Sequence, residues 1–131
     1  MGRFDGLVGV VTGGARGIGA AVATSLVAEG AGVISLDLDT PSQRDGIRDV
    51  RTDVSDSDDV RAAFDEIGEQ EGRVDVLVNN AGFQRVGKTD EMDPAVWDLV
   101  VATHLRGMFL CSAAAIPHMK KQKSGAIVSI S

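Results

Sequence analysis

The chain has 131 residues, 44% hydrophobic content and a formal charge of −6, enough length to bury one domain-sized core. Its longest basic run is the KKQK at 120–123, which excludes the concentrated cationic face that nucleic acid requires. One cysteine, Cys111, excludes an internal disulfide and a cysteine zinc cage, and suits a reducing compartment.

The first apolar run, 7–11, follows Arg3 and Asp5 and breaks at Thr12-Gly13-Gly14. That pattern is expected as a buried strand entering a glycine turn, rather than as a secretory leader. Over 18–29, Ile18, Val22 and Leu26 recur every four positions, a helical stripe, and Gly30 stops the helix where a positive φ is commonly required. A second strand, 33–36, ends at Asp37. The polar connection DTPSQRDG has room for one helical turn at most before a third strand over 47–52.

The acidic stretch 55–59 suits a helix start, and Val60, Phe64 and Ile67 follow on one face. Residues 74–78 form a strand running into NNAG. Asp93-Pro94 then places a cap and a first-turn proline. That helix is expected over 95–119, perturbed near Pro117, with Lys120, Lys121 and Lys123 at its C-terminal end. SGAIVSIS, 124–131, carries Ile127, Val128 and Ile130 and is expected as a fifth, buried strand. No apolar stretch approaches the ~20 residues that cross a bilayer. The expectation is a soluble cytoplasmic protein without a membrane or nucleic-acid partner.

Apolar strands alternating with helices imply an α/β fold, a doubly wound parallel sheet covered on both faces. No linker or repeat divides the chain, so 1–131 is expected as one domain.

TGGARGIG places glycines at 13, 14, 17 and 19 between a strand and a helix. Glycine there lets backbone N–H groups approach a pyrophosphate at a helix N-terminus, and Gly19 permits close helix–strand packing. Such a turn also serves as a plain connection. Asp37, at the end of the second strand, stands where a dinucleotide fold sets a carboxylate on the adenosine ribose. That carboxylate repels a ribose 2′-phosphate and favours NAD over NADP. Arg16 pulls the other way, because a guanidinium in the loop can pair with that phosphate. Asp37 outweighs it here, although Asp37, like Asp39, also reads as a solvated turn residue.

Taken together, TGGARGIG, Asp37, Asp53-Val54, NNAG at 79–82 and the helix segment HLRGMFL resemble the short-chain dehydrogenase/reductase family over 4–131. The resemblance implies a Rossmann-type sheet, truncated after its fifth strand. It places Gly13, Arg16, Gly17, Ile18 and Gly19 along the pyrophosphate and adenosine, Asp37 on the ribose, and Asp53 and Val54 at the adenine. Asn80, Ala81 and Gly82 would lie along the cofactor.

The implied activity is hydride transfer between nicotinamide and a small alcohol or ketone, using a Tyr-x-x-x-Lys pair and a serine. This chain has no tyrosine. IVSIS resembles the family's IVNISS, so Ser131 matches the first serine of the pair and is not assigned as catalytic. The chain is therefore expected to bind cofactor while its full-length parent catalyses; the alternative is a non-catalytic dinucleotide-binding module or decayed fragment.

His104 stands where the family usually has an asparagine that anchors a water. Its helical line, Trp97, Val100 and Cys111, predicts an inward face, so His104 is either that asparagine's substitute or a core histidine. Cys111 is expected as a small buried hydrophobe. In intact members this helix commonly joins subunits, which implies a homo-oligomer through 94–119.

Overall fold

The computed structural model describes residues 2–83 and 85–131. Strands β1 (Val8–Thr12), β2 (Gly32–Asp37), β3 (Ile47–Arg51), β4 (Val76–Asn79) and β5 (Ala126–Ser129) form one sheet. Every pairing is parallel, in the order β3-β2-β1-β4-β5. The chain moves outward from β1 to β3, then returns to the other side of β1 with β4. That reversal opens a crevice at the carboxyl ends of β1 and β4, where an open α/β sheet binds ligands.

Alternating side chains of the strands feed two cores. Val10, Ile34, Leu36 and Leu77 pack with Val60, Phe64 and Ile67 of α2 (Ser57–Glu71) and with Cys111 and Ala115. Val11, Val33 and Val78 pack on the opposite face with Ala23 and Leu26 of α1 (Gly17–Ala28). The sheet is thus covered on both faces, as its apolar strands require. β4 opens at Val76 and not Val74, because the Gln122 side chain takes both backbone groups of Val74 (Val74 N–H to Oε1 2.9 Å, Nε2 to Val74 carbonyl 2.9 Å).

The buried line of α1 is Gly19, Ala23 and Leu26, which corrects the expected Ile18-Val22-Leu26 stripe; Ile18 is 64% exposed. The physical reason is the close approach of α1 to the glycine turn. A Cβ at Gly19 would overlap the Gly13 carbonyl oxygen, so the helix turns its smallest residues to the sheet. In α2 the expected face is the buried one. Asp56 caps it by accepting the N–H groups of Asp58 and Asp59 (2.9 and 3.2 Å), and Gly72 closes it at φ 73°.

Helices α3 (Pro94–Val101) and α4 (Gly107–Gln122) are joined by a π-helical turn, Ala102–Arg106, in which the Gly107 amide reaches back to the Ala102 carbonyl. The perturbation lies at this turn; Pro117 sits within α4 without ending it. The wide turn also shifts the helical phase. Trp97 is 62% exposed and His104 is exposed, while Cys111 is fully buried, so the expected inward line is broken.

Pro94–Gln122 runs 29 residues and contains an 18-residue window of mean hydropathy 1.6, long and apolar enough to cross a membrane by length and composition. This corrects the expectation that no stretch approaches that length. Here α4 instead lies on the sheet, where Gly107 abuts Val54 and the Asn79 amide donates to Ser112 Oγ at 3.1 Å.

β5 pairs with β4 as expected, yet Ala126–Ser129 are all exposed, against the expected burial. Its outer edge meets no further strand among the described residues.

Candidate functional site

A cleft of about 620 Å³ opens at the carboxyl ends of β1, β2 and β4. It is lined by Gly13, Arg16, Ile18, Asp37, Asp53, Val54, Asn80, Ala81 and Gly82, all singled out in the sequence, and also by Leu36, Leu38, Asp39, Thr52, Ser55, Phe83, Leu99 and Thr103. Gly17 and Gly19 do not line it. Gly17 opens α1 at φ 60°, a conformation that favours glycine. Gly19 lies behind the loop against Gly13.

The cradle is held by a few hydrogen bonds. Thr12 Oγ1 accepts from the amides of Asn80 and Ala81, both at 2.9 Å, while Asn80 Nδ2 donates to the Gly13 carbonyl at 3.2 Å. The carbonyl end of β1 is thereby tied to NNAG. A Cβ at Gly13 would lie 2.9 Å from Ala81 Cα, so the approach of these two backbones requires glycine at 13, which also has φ 65°.

Asp37 stands beside the turn. Its Oδ2 accepts from the Ala15 amide and its Oδ1 from the Asp39 amide, both at 3.0 Å. Arg44 braces the loop from behind, with Nη1 on the Gly14 carbonyl at 2.8 Å and Nη2 on Asp49 at 2.7 Å. Asp53 accepts from the amide and hydroxyl of Ser55 at 3.0 and 2.6 Å. A glycine turn with the Asp37 carboxylate bonded beside it, at the mouth of a cleft of about 620 Å³, fits the adenosine end of a dinucleotide.

The sequence model of the family described as short chain dehydrogenase matches residues 8–131. The chain belongs to the short-chain dehydrogenase family. D-threitol dehydrogenase of Mycolicibacterium smegmatis is 36% identical, over 98% of this chain and 53% of its own length. The 3-oxoacyl-(acyl-carrier-protein) reductase FabG of Staphylococcus aureus is 35% identical, over 93% of this chain and 54% of its own. Aldohexose dehydrogenase of Thermoplasma acidophilum, solved in ligand-free form, superposes with a TM-score of 0.94 at 36% identity, over 98% of this chain and 50% of that one. The chain thus spans about half the length of the curated relatives it matches. Short-chain dehydrogenases use nicotinamide cofactors.

A second cavity, about 160 Å³, lies beside the end of β5. Thr12, Asn79, His104, Met108, Ser129 and Ser131 are among its lining residues. His104 Nε2 sits 3.0 Å from the Phe83 amide and 2.8 Å from the Phe83 carbonyl. In one tautomer it accepts from the N–H; in the other it donates to the oxygen. The ring lies over Gly82, where a Cβ would overlap it. Exposure removes the core-histidine alternative, and the backbone pin is what the side chain does. Burial pushes the Cys111 thiol up to about 12, so it stays protonated near neutrality and packs as a small hydrophobe.

Of the lining residues not singled out in the sequence, Leu36 and Thr52 are buried. Leu38 and Asp39 follow β2, and their proximity in sequence to Asp37 is the signal that marks them. Leu99 lines the cleft from α3 and Thr103 from within the π turn, which no apolar period encodes.

Proposed function

We propose that these residues form the cofactor-holding part of an NAD-dependent oxidoreductase acting on a small alcohol or ketone. The observation that carries this reading is the cleft at the β1/β4 crevice, lined by the glycine turn and by Asp37, whose carboxylate is bonded to the Ala15 amide of that turn. The backbone from Gly13 to Gly17 would take the pyrophosphate, and Val54 and Asp53 the adenine. Asn80, Ala81 and Gly82 would run along the bound molecule toward the second cavity. Each Asp37 oxygen holds one backbone donor and keeps a lone pair for a ribose hydroxyl. When bound, the nicotinamide supplies the hydride acceptor or donor.

A proton carrier is also needed, and the 131 residues contain no tyrosine. The polypeptide of these residues alone is therefore proposed to bind without turnover, with activity belonging to a protein of the relatives' length. This observation also favours a second reading, a binding module that catalyses nothing. A second copy of the chain is proposed to cover the exposed apolar residues of α3 and α4.

Calorimetric titration of the 131-residue chain tests the reading: NAD⁺ is expected to bind at least tenfold more tightly than NADP⁺, roughly the worth of one charged contact. No NADH is expected to accumulate with secondary alcohols. Tighter NADP⁺ binding would reverse the cofactor assignment, and steady NADH formation would overturn the binding-only statement.

A further inference from the structure

Three carboxylates, Asp37, Asp39 and Asp53, and one guanidinium, Arg16, are the charged side chains among the described residues lining the cleft. Asp37 is committed to the backbone, one oxygen on the Ala15 amide and the other on the Asp39 amide. Asp39 has a different partner. Its side chain meets the Arg16 guanidinium in an ion pair that crosses from the loop after β2 to the residue just before α1. The two side chains are 80% and 58% exposed, so the pair lies at the mouth of the cleft and is open to an incoming ligand. Arg16 and Asp39 also line a shallow hollow of about 350 Å³ with Ala15, Thr40 and Pro41.

We propose that Asp39, by occupying the Arg16 guanidinium, withholds from a ribose 2′-phosphate the cation it would otherwise pair with. A carboxylate and a phosphate compete for the same planar set of donors on arginine. The Asp39 carboxylate is an internal anion on the one cationic side chain of the cleft. A phosphate entering there would have to break the pair and then sit between Asp37 and Asp39. The Asp37 oxygen on the Asp39 amide fixes the backbone from which Asp39 reaches Arg16, so Asp37 adds its own charge while Asp39 withholds the guanidinium. This deepens the cofactor reading above and rests on it. An exposed pair of this kind contributes little to stability, so Asp39 can be replaced without unfolding the chain.

The test uses the adenosine halves of the two cofactors, ADP and 2′,5′-ADP, titrated calorimetrically at low ionic strength into the 131-residue chain. Asp39→Asn is expected to tighten 2′,5′-ADP about tenfold while ADP changes less than about twofold, a difference the size of one charge-assisted contact. In the double variant Arg16→Gln/Asp39→Asn that gain is expected to vanish. The double-variant cycle separates release of Arg16 from simple loss of a negative charge. A gain that persists without Arg16, or no gain while ADP still binds, overturns this inference and leaves the cofactor reading standing. Failure of ADP to bind the unaltered chain overturns both. Unchanged circular dichroism and melting of Asp39→Asn verify that the fold is intact.

Discussion

Gly19 shows how much a single hydrogen in place of a methyl controls in this cleft. Its missing side chain lets α1 reach the Gly13 carbonyl, and the obstacle a Cβ would meet is backbone, which cannot swing aside. Gly19→Ala is expected to lower the melting temperature, at a cost of about 1–3 kcal/mol, and to weaken NAD⁺ by more than about tenfold. Gly32→Ala, where a Cβ meets nothing within 4 Å, is the control. It is expected to be neutral or to stabilise by about 0.4–1 kcal/mol through the unfolded chain. Asp75 works at the opposite end of the sheet. Arg73 grips it with two bonds of 2.7 Å, and Asp75 accepts the Val8 amide at 2.8 Å. The Arg73 hydrogen bond holds its carboxyl below the ordinary value of 3.8, against the opposing effect of burial. Its stabilisation is therefore complete above that ordinary value and fades as pH falls through the lowered one. Acid melts are expected to show Asp75→Asn less stable than the unaltered chain above pH 4 and converging with it at lower pH. The glycines and Asp37 were legible because their chemistry is local. The pairing of Arg16 with Asp39 was not, because it depends on how two separate loops face each other in three dimensions.

At the scale of elements, apolar period worked where a helix packs with large side chains and failed where it packs close. Val60, Phe64 and Ile67 of α2 are the buried face that the sequence marks. In α1 the helix presses its backbone against the turn, so Gly19 and Ala23 go inward and Ile18 is left out on the cleft wall. Truncation data should show the contrast directly. Ile67→Ala, at a fully buried site, is expected to cost about 2–5 kcal/mol in denaturant melts. Ile18→Ala is expected to fall within about 0.5 kcal/mol. The π turn between α3 and α4 was invisible for a related reason. One extra residue in a turn changes which side chains face the sheet without changing the composition of the helix. It is this turn that brings Thr103 to the cleft and His104 to the Phe83 backbone.

For the whole molecule, the parallel sheet and the crevice followed from strand–helix alternation, whereas the exposure of β5 did not. A strand rich in Ile and Val is written the same way whether or not anything covers it. Trp97, Leu105, Phe109 and Ile116 are likewise exposed, at 62%, 61%, 66% and 39%. Apolar surface concentrated on α3 and α4 favours association. Sedimentation velocity at micromolar concentration is expected to show species larger than a monomer, and Phe109→Glu to shift them toward the monomer. A single monomeric boundary for the unaltered chain would count against self-association.

The hydroxyl of Thr12 has a mechanical consequence. By taking the amides of both Asn80 and Ala81, it rivets the floor of the crevice where two neighbouring strands end. The walls above are tied differently, by side chains at the surface such as the Arg16–Asp39 clasp. A crevice with a riveted floor and a clasped rim behaves like a jaw on a fixed pivot. The pivot rests on one threonine hydroxyl, and the rim on an ion pair whose two side chains are 80% and 58% exposed.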